Sequence, residues 1–242
     1  MAEKETLYLL CGLLCDAYTF AKQKAALSDR YHVRVVDFFG LDSMDSMARK
    51  VLDEAPPKFS VCGFSMGGRV AMKIMELAPE RVVRLCLLDT GVGPAVEGEA
   101  DKRMALVELA REKGNAALID TWLPPMLHPN RQKDPAFIGP LGDMICRATP
   151  DIFARQQKAL LTRSDARPLL PKITIPTYVV VGRQDAWSTV EQHEAFAREI
   201  PGAKLIVIED SGHFVPLEQA EALSNVLDEM MREPLGKKDK VF

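Results

Sequence analysis

The chain has 242 residues, 47% hydrophobic and 27% charged, with a formal net charge of -3. That size and balance suit one globular α/β unit with a sizeable buried core, not a disordered or fibrous chain. No concentration of basic residues points to nucleic acid or an anionic membrane surface.

No apolar run approaches the ~20 residues that cross a bilayer, and the charged residues 1–6 are unlike a secretory signal. The five cysteines (Cys11, Cys15, Cys62, Cys86 and Cys146) are odd in number and show no zinc-type pairing. This predicts reduced thiols and a cytoplasmic location. Cys11 and Cys15 lack the histidine or acidic support that a metal site requires, so no metal is expected.

Taken in chain order, short aliphatic and β-branched runs alternate with helical periodicity. Strands are predicted at 7–11, 33–37, 59–63, 83–88, 177–181 and 205–208. Several are apolar almost throughout, as strands covered on both faces are. Helices are predicted at 16–27, 44–55, 66–77, 190–200 and 216–231, with Pro56-Pro57 and Pro201-Gly202 as stops. Such alternation implies βαβ units on a parallel sheet. Between Thr90 and Pro176 the alternation fails: helical stretches at 103–113, 116–122 and 135–147 are cut by Gly and Pro, and a last helix runs to 163. Thr149 suits its N-cap and Pro150 its first turn. This divides the chain into a core of 1–90 and 176–242 and a helical cap of 91–175. The tail 232–242, with Lys237, Lys238 and Lys240, reads as a solvated end.

The segment Gly63-Phe64-Ser65-Met66-Gly67-Gly68 joins a buried strand to a helix. A serine on so sharp a turn projects its hydroxyl from the sheet edge, and a Cβ two residues to either side would collide with it. The Met66 amide, at the helix N-terminus, is placed to stabilise developing negative charge. A serine hydroxyl needs a base within hydrogen-bond reach. Of the four histidines, His32 precedes a strand, His128 falls in the cap and His193 lies in a charged helical pattern. His213, in Ser211-Gly212-His213-Phe214, follows the last strand and so shares the sheet edge with Ser65. Asp185, in Gly182-Arg183-Gln184-Asp185, follows the penultimate strand and is the favoured acid. Asp89 is its rival, with the expected lesser task of bonding backbone near the start of the cap. A second oxyanion amide is expected from the loop after the first strand, from Leu13 or alternatively Leu14, with Asp16 capping the next helix. Trp122, Met126, Leu127, Phe153, Trp187 and Phe214 are candidates for the pocket wall.

With these motifs in that order, residues 6–231 resemble the α/β-hydrolase superfamily, in particular its small bacterial esterase-like members. The resemblance implies a six-stranded, mainly parallel sheet with a helical cap inserted after Leu88. It also implies ester hydrolysis through an acyl-enzyme, with neither metal nor organic cofactor. Two departures stand out: Cys11-Gly12 replaces the frequent His-Gly of the oxyanion loop, and only about five residues precede the first strand, so an opening antiparallel hairpin is not expected. The expected substrate is a small-molecule ester with a small to medium apolar acyl group, and the protein a monomer or homodimer. A lactonase, thioesterase or carbon–carbon bond hydrolase would use the same residues. A hydrolase-like receptor for a small ligand, with little turnover, is the alternative of another class.

Overall fold

A computed structural model describes residues 4–235. Six strands form one sheet: β1 (Thr6–Leu10), β2 (His32–Val36), β3 (Phe59–Phe64), β4 (Val82–Leu88), β5 (Thr177–Gly182) and β6 (Lys204–Ile208), in the order β2-β1-β3-β4-β5-β6. Every neighbouring pair is parallel. β3, β4 and β5 are buried along their whole length, which is why their sequences are apolar without alternation.

The helices of the sheet layers are α1 (Ala21–Leu27), α2 (Met44–Glu54) and α3 (Met66–Leu77) in the first half. Between β4 and β5 lie α4 (Glu99–Lys113), α5 (Ala117–Thr121), α6 (Pro135–Arg147) and α7 (Pro150–Leu161), and α8 (Val190–Glu199), α9 (Val215–Glu218) and α10 (Ala220–Arg232) complete the chain. Helix α1 packs on α10 and α2 on α3, while α8 packs on β5 and β6. Among the described residues no helix is long and apolar enough to cross a membrane.

Two predicted helices are divided. The first opens as a 3-10 turn over Ala17–Phe20, capped by Asp16, whose Oδ1 accepts from the Tyr18 amide at 2.8 Å. The last breaks at Gln219, whose backbone leaves helical geometry (φ -132°, ψ 54°). Glu218, just before the break, accepts from the Gly212 amide at 2.9 Å. Thr149 caps α7 through the Ile152 amide, as expected. Lys237, Lys238 and Lys240 lie outside the described residues.

The strand order reverses between β1 and β3: β2 lies on one side of β1, and the chain then returns to the other. In an open parallel sheet a crevice forms at the carboxyl ends of the strands beside such a reversal. The loops that end β1, β3, β4 and β5 meet there.

Candidate active site

Ser65 joins β3 to α3 with φ 54° and ψ -114°, a conformation that L residues rarely adopt. The turn is held by its neighbours: the Ser65 amide donates to the Leu88 carbonyl at 2.9 Å, and the Thr90 hydroxyl donates to the Ser65 carbonyl at 2.6 Å. The flanking glycines are required, though not because a side chain would strike the serine. A Cβ at Gly67 would lie 2.2 Å from the Leu10 carbonyl oxygen, and one at Gly63 would lie 2.3 Å from the Gly67 carbonyl oxygen. Helix α3 therefore starts in contact with the ends of β1 and β3.

The loops after β5 and β6 bring the other two predicted residues to this turn. His213 Nε2 lies 2.9 Å from Ser65 Oγ, and His213 Nδ1 lies 2.8 Å from Asp185 Oδ2. The second Asp185 oxygen accepts from the amides of Trp187 (2.8 Å) and Ser188 (2.9 Å). Burial alone would raise the Asp185 carboxyl, but His213 and these two amides outweigh it and hold the group below the ordinary carboxylate range. An ionised Asp185 can only accept, so Nδ1 carries the imidazole proton and Nε2 of the neutral ring is free to accept from the serine hydroxyl.

Asp89 has a different environment. It ends β4 at φ 44°, is fully buried, and accepts from the Gly182 amide at 2.9 Å. Its bond therefore goes to the end of β5 and not to the start of the cap. Burial, reinforced by the charge of Asp185, pushes its carboxyl well above the usual range, which favours the neutral acid. His193 is also structural. Its Nδ1 faces the Thr189 carbonyl at 2.9 Å, so Nδ1 carries the proton, and Nε2 accepts from the Thr90 amide at 3.0 Å. Burial depresses it to about 4.

A cavity with about 90 Å³ open to water-sized molecules lies against Ser65. Leu13 and Met66 line it, while the amide of Leu14 (φ 58°) is occupied, donating to Gln156 Oε1 on α7 at 2.8 Å. Of the predicted wall, Trp122, Met126, Trp187 and Phe214 face the cavity. Leu127 and Phe153 do not. Phe153 is fully buried behind Trp122, edge-on at 6.3 Å, and Leu127 is packed into the core just after a 3-10 turn. Cys15 also faces the cavity, but burial pushes its thiol to about 12 and keeps it protonated.

Sequence reasoning missed two arginines in the same cavity, Arg69 and Arg103, and two residues that set loop positions, Gln156 and Glu218. Glu218 accepts from the His128 amide (2.8 Å) as well as from Gly212, tying the histidine loop to the segment between α5 and α6. The His213 amide itself donates to the Met126 carbonyl at 2.6 Å. A glycine at position 182 admits the loop of His213, since a Cβ there would come within 2.1 Å of the Gly212 carbonyl oxygen.

A parallel sheet carrying a strained serine after β3, a buried carboxylate after β5 and an imidazole after β6 is the architecture of α/β hydrolases. The chain belongs to that family: residues 7–226 match the model of the alpha/beta hydrolase family. It is similar to a pimeloyl-[acyl-carrier protein] methyl ester esterase of Nitrosomonas europaea, 28% identical over 78% of this chain and 80% of the relative. It is also similar to 3-oxoadipate enol-lactonase 2 of Acinetobacter baylyi, 26% identical over 96% and 90%. Among solved structures, a thermophilic esterase from Thermogutta terrifontis superposes with a TM-score of 0.86 at 28% identity, covering 96% of this chain and 90% of that one.

Proposed function

We propose that the protein is a serine esterase in which Ser65 is the nucleophile, His213 the general base and Asp185 the group that holds the imidazole in its working tautomer. The observation that carries this reading is the continuous relay from Asp185 Oδ2 through His213 to Ser65 Oγ, with contacts of 2.8 and 2.9 Å, opening on a cavity. Ser65 Oγ bonds to the ester carbonyl carbon while its proton passes to Nε2. The bond from that carbon to the leaving oxygen then breaks, and the departing alkoxide takes the proton. Water repeats the sequence on the acyl-enzyme, releasing the acid and returning the proton to Ser65.

The tetrahedral oxyanion would be met by the amides of Met66 and Leu13, because the Leu14 amide is already committed to Gln156. Residues 91–175 act as a cap, contributing Trp122 and Met126 to the pocket wall. An intramolecular ester is opened by the same steps, and the similarity to an enol-lactonase favours a lactone as the second substrate type.

A fluorophosphonate should label the protein once, at Ser65, and short aryl esters should be turned over repeatedly. Ser65→Ala should abolish labelling and lower turnover on the order of 10³-fold or more. Equal labelling of the Ala variant would overturn the assignment. A single slow round with aryl esters would instead support a receptor.

A further inference from the structure

Resting on the esterase reading above, we infer that the substrate is an ester bearing a second, ionised carboxylate, which seats on the guanidinium of Arg69 with Arg103 beside it. Arg69 lies on α3 one helical turn beyond Ser65, and both arginines face the cavity that holds the serine.

The charges around this end of the cavity do not balance. Arg69, Arg103 and Arg163 cluster around one carboxylate, Glu99. Arg103 Nε bonds Glu99 Oε1 at 2.7 Å and Arg163 Nη2 bonds Glu99 Oε2 at 2.7 Å. Burial would raise Glu99, but hydrogen bonds from Arg163 and Arg103 overcome it and hold the carboxyl down at about 2. Glu99 is thus ionised and committed to those two. Among the described residues Arg69 has no carboxylate within ion-pair distance, and its one hydrogen bond runs from Nη1 to the Gly93 carbonyl at 2.8 Å. The acids nearest the serine cannot serve it: Asp185 is taken up by His213 and two amides, and buried Asp89 favours its neutral form.

Arg69 is half-buried in the cavity wall; a guanidinium has five N–H donors, and partly withdrawing it from water without an anion carries a cost. Burial, with repulsion from Arg163 and Arg103, depresses Arg69 to about 9, so it still carries its charge at neutral pH. Position 91 makes room for it: a Cβ on Gly91 would lie 2.9 Å from Arg69 Nη2. A cation kept short of partners beside the nucleophile is matched by a carboxylate, whose two oxygens fit the guanidinium fork. Apolar wall residues such as Trp122 and Met126 would then cover the chain between the two ends of the substrate.

The test compares monomethyl esters of succinic, glutaric and adipic acids with the corresponding dimethyl esters, which differ in charge at the far end. Hydrolysis is read as the ratio of kcat/KM for half-ester over diester within one protein, so that any general loss of activity cancels. The native protein should favour at least one half-ester. Arg69→Gln should lower that ratio about 10- to 100-fold, the range for removing one partner of a charged hydrogen bond, and Arg69→Lys should fall between. Should the Gln variant fail to fold, the native ratio and the Lys variant decide. A native protein that cleaves diesters as well as or better than every half-ester overturns the inference while leaving Ser65 in its role, as does a ratio unmoved by either substitution. Failure of all esters, together with no fluorophosphonate labelling, would instead sink the esterase reading itself.

Discussion

Asp185 and Asp89 end adjacent strands, and their surroundings drive their carboxyls in opposite directions. Asp185 receives three hydrogen bonds from His213, Trp187 and Ser188 and is held ionised. Asp89 receives the Gly182 amide, while burial and the neighbouring charge favour its neutral form. An asparagine therefore changes the two sites differently. Asp185→Asn removes a charge and can fix the wrong imidazole tautomer, so kcat should fall by at least ~10²-fold with the fold intact, a smaller loss than the ~10⁴ of the type case. Asp89→Asn keeps the size of a carboxyl that burial biases toward its neutral form, so kcat should stay within about a few-fold. Steady-state kinetics with circular dichroism on both variants checks this, and the reverse pattern would move the acid to β4. In the sequence only chain order favoured Asp185 over Asp89, since both are acids after strands. What distinguishes them is the partner of each carboxylate oxygen, a matter of loop contacts between distant segments.

At the scale of elements, the segments between β4 and β5 brace the loops around Ser65 as well as lining its cavity. Gln156 on α7 holds the Leu14 amide, and the carbonyl of Met126 holds the His213 amide. One bond fixes the loop that carries Leu13, and the other fixes the loop that carries His213. Gln156→Met keeps the length of the side chain and removes the acceptor. It should lower kcat about 10-fold, the cost of leaving one buried amide unpaired, and slow fluorophosphonate labelling in parallel while KM stays near its native value. A fall in Tm with kcat unchanged would make the bond purely a matter of stability. The elements themselves were legible: the apolar runs of β3, β4 and β5, the Thr149 cap and the glycines of the serine turn all follow from local pattern. Gln156 was not, because its partner is 142 residues away. Arg69 was hidden in the same way, since its lack of a carboxylate partner is a property of the whole neighbourhood.

For the molecule as a whole, His193 predicts a specific response to acid. Its folded value of about 4 lies below the 6.5 of an unperturbed imidazole, so the unfolded chain binds the proton more readily between these values. The contribution is complete above about pH 6.5 and is lost as pH falls toward 4. It is on the order of 3 kcal/mol at most, from roughly 1.4 kcal/mol per pH unit of separation. Asp89 and Glu218, whose carboxyls burial pushes up, act with opposite sign as pH rises through the carboxylate range. The informative quantity is therefore the difference between native protein and His193→Gln, in which the amide oxygen can replace Nε2 as acceptor for Thr90. Urea denaturation across this range should show the difference shrinking as the solution is acidified. A constant difference would mean that His193 does not titrate on unfolding.

The same sheet also fixes the order in which the site can be assembled during synthesis. β3 and β4 are close in the chain, so the serine turn and its anchor at Leu88 can form early. β4 must wait for β5, with Leu88 opposite Val180, until everything between them has been made. Asp185 and then His213 follow later still, after β5 and β6. A chain growing from its N-terminus thus presents Ser65 before Asp185 and His213 have been made, and the long-range pairing of β4 with β5 is the late step topology imposes. Reactivity toward esters should be the last property a nascent chain acquires, so a stalled or truncated product would carry the serine without its chemistry.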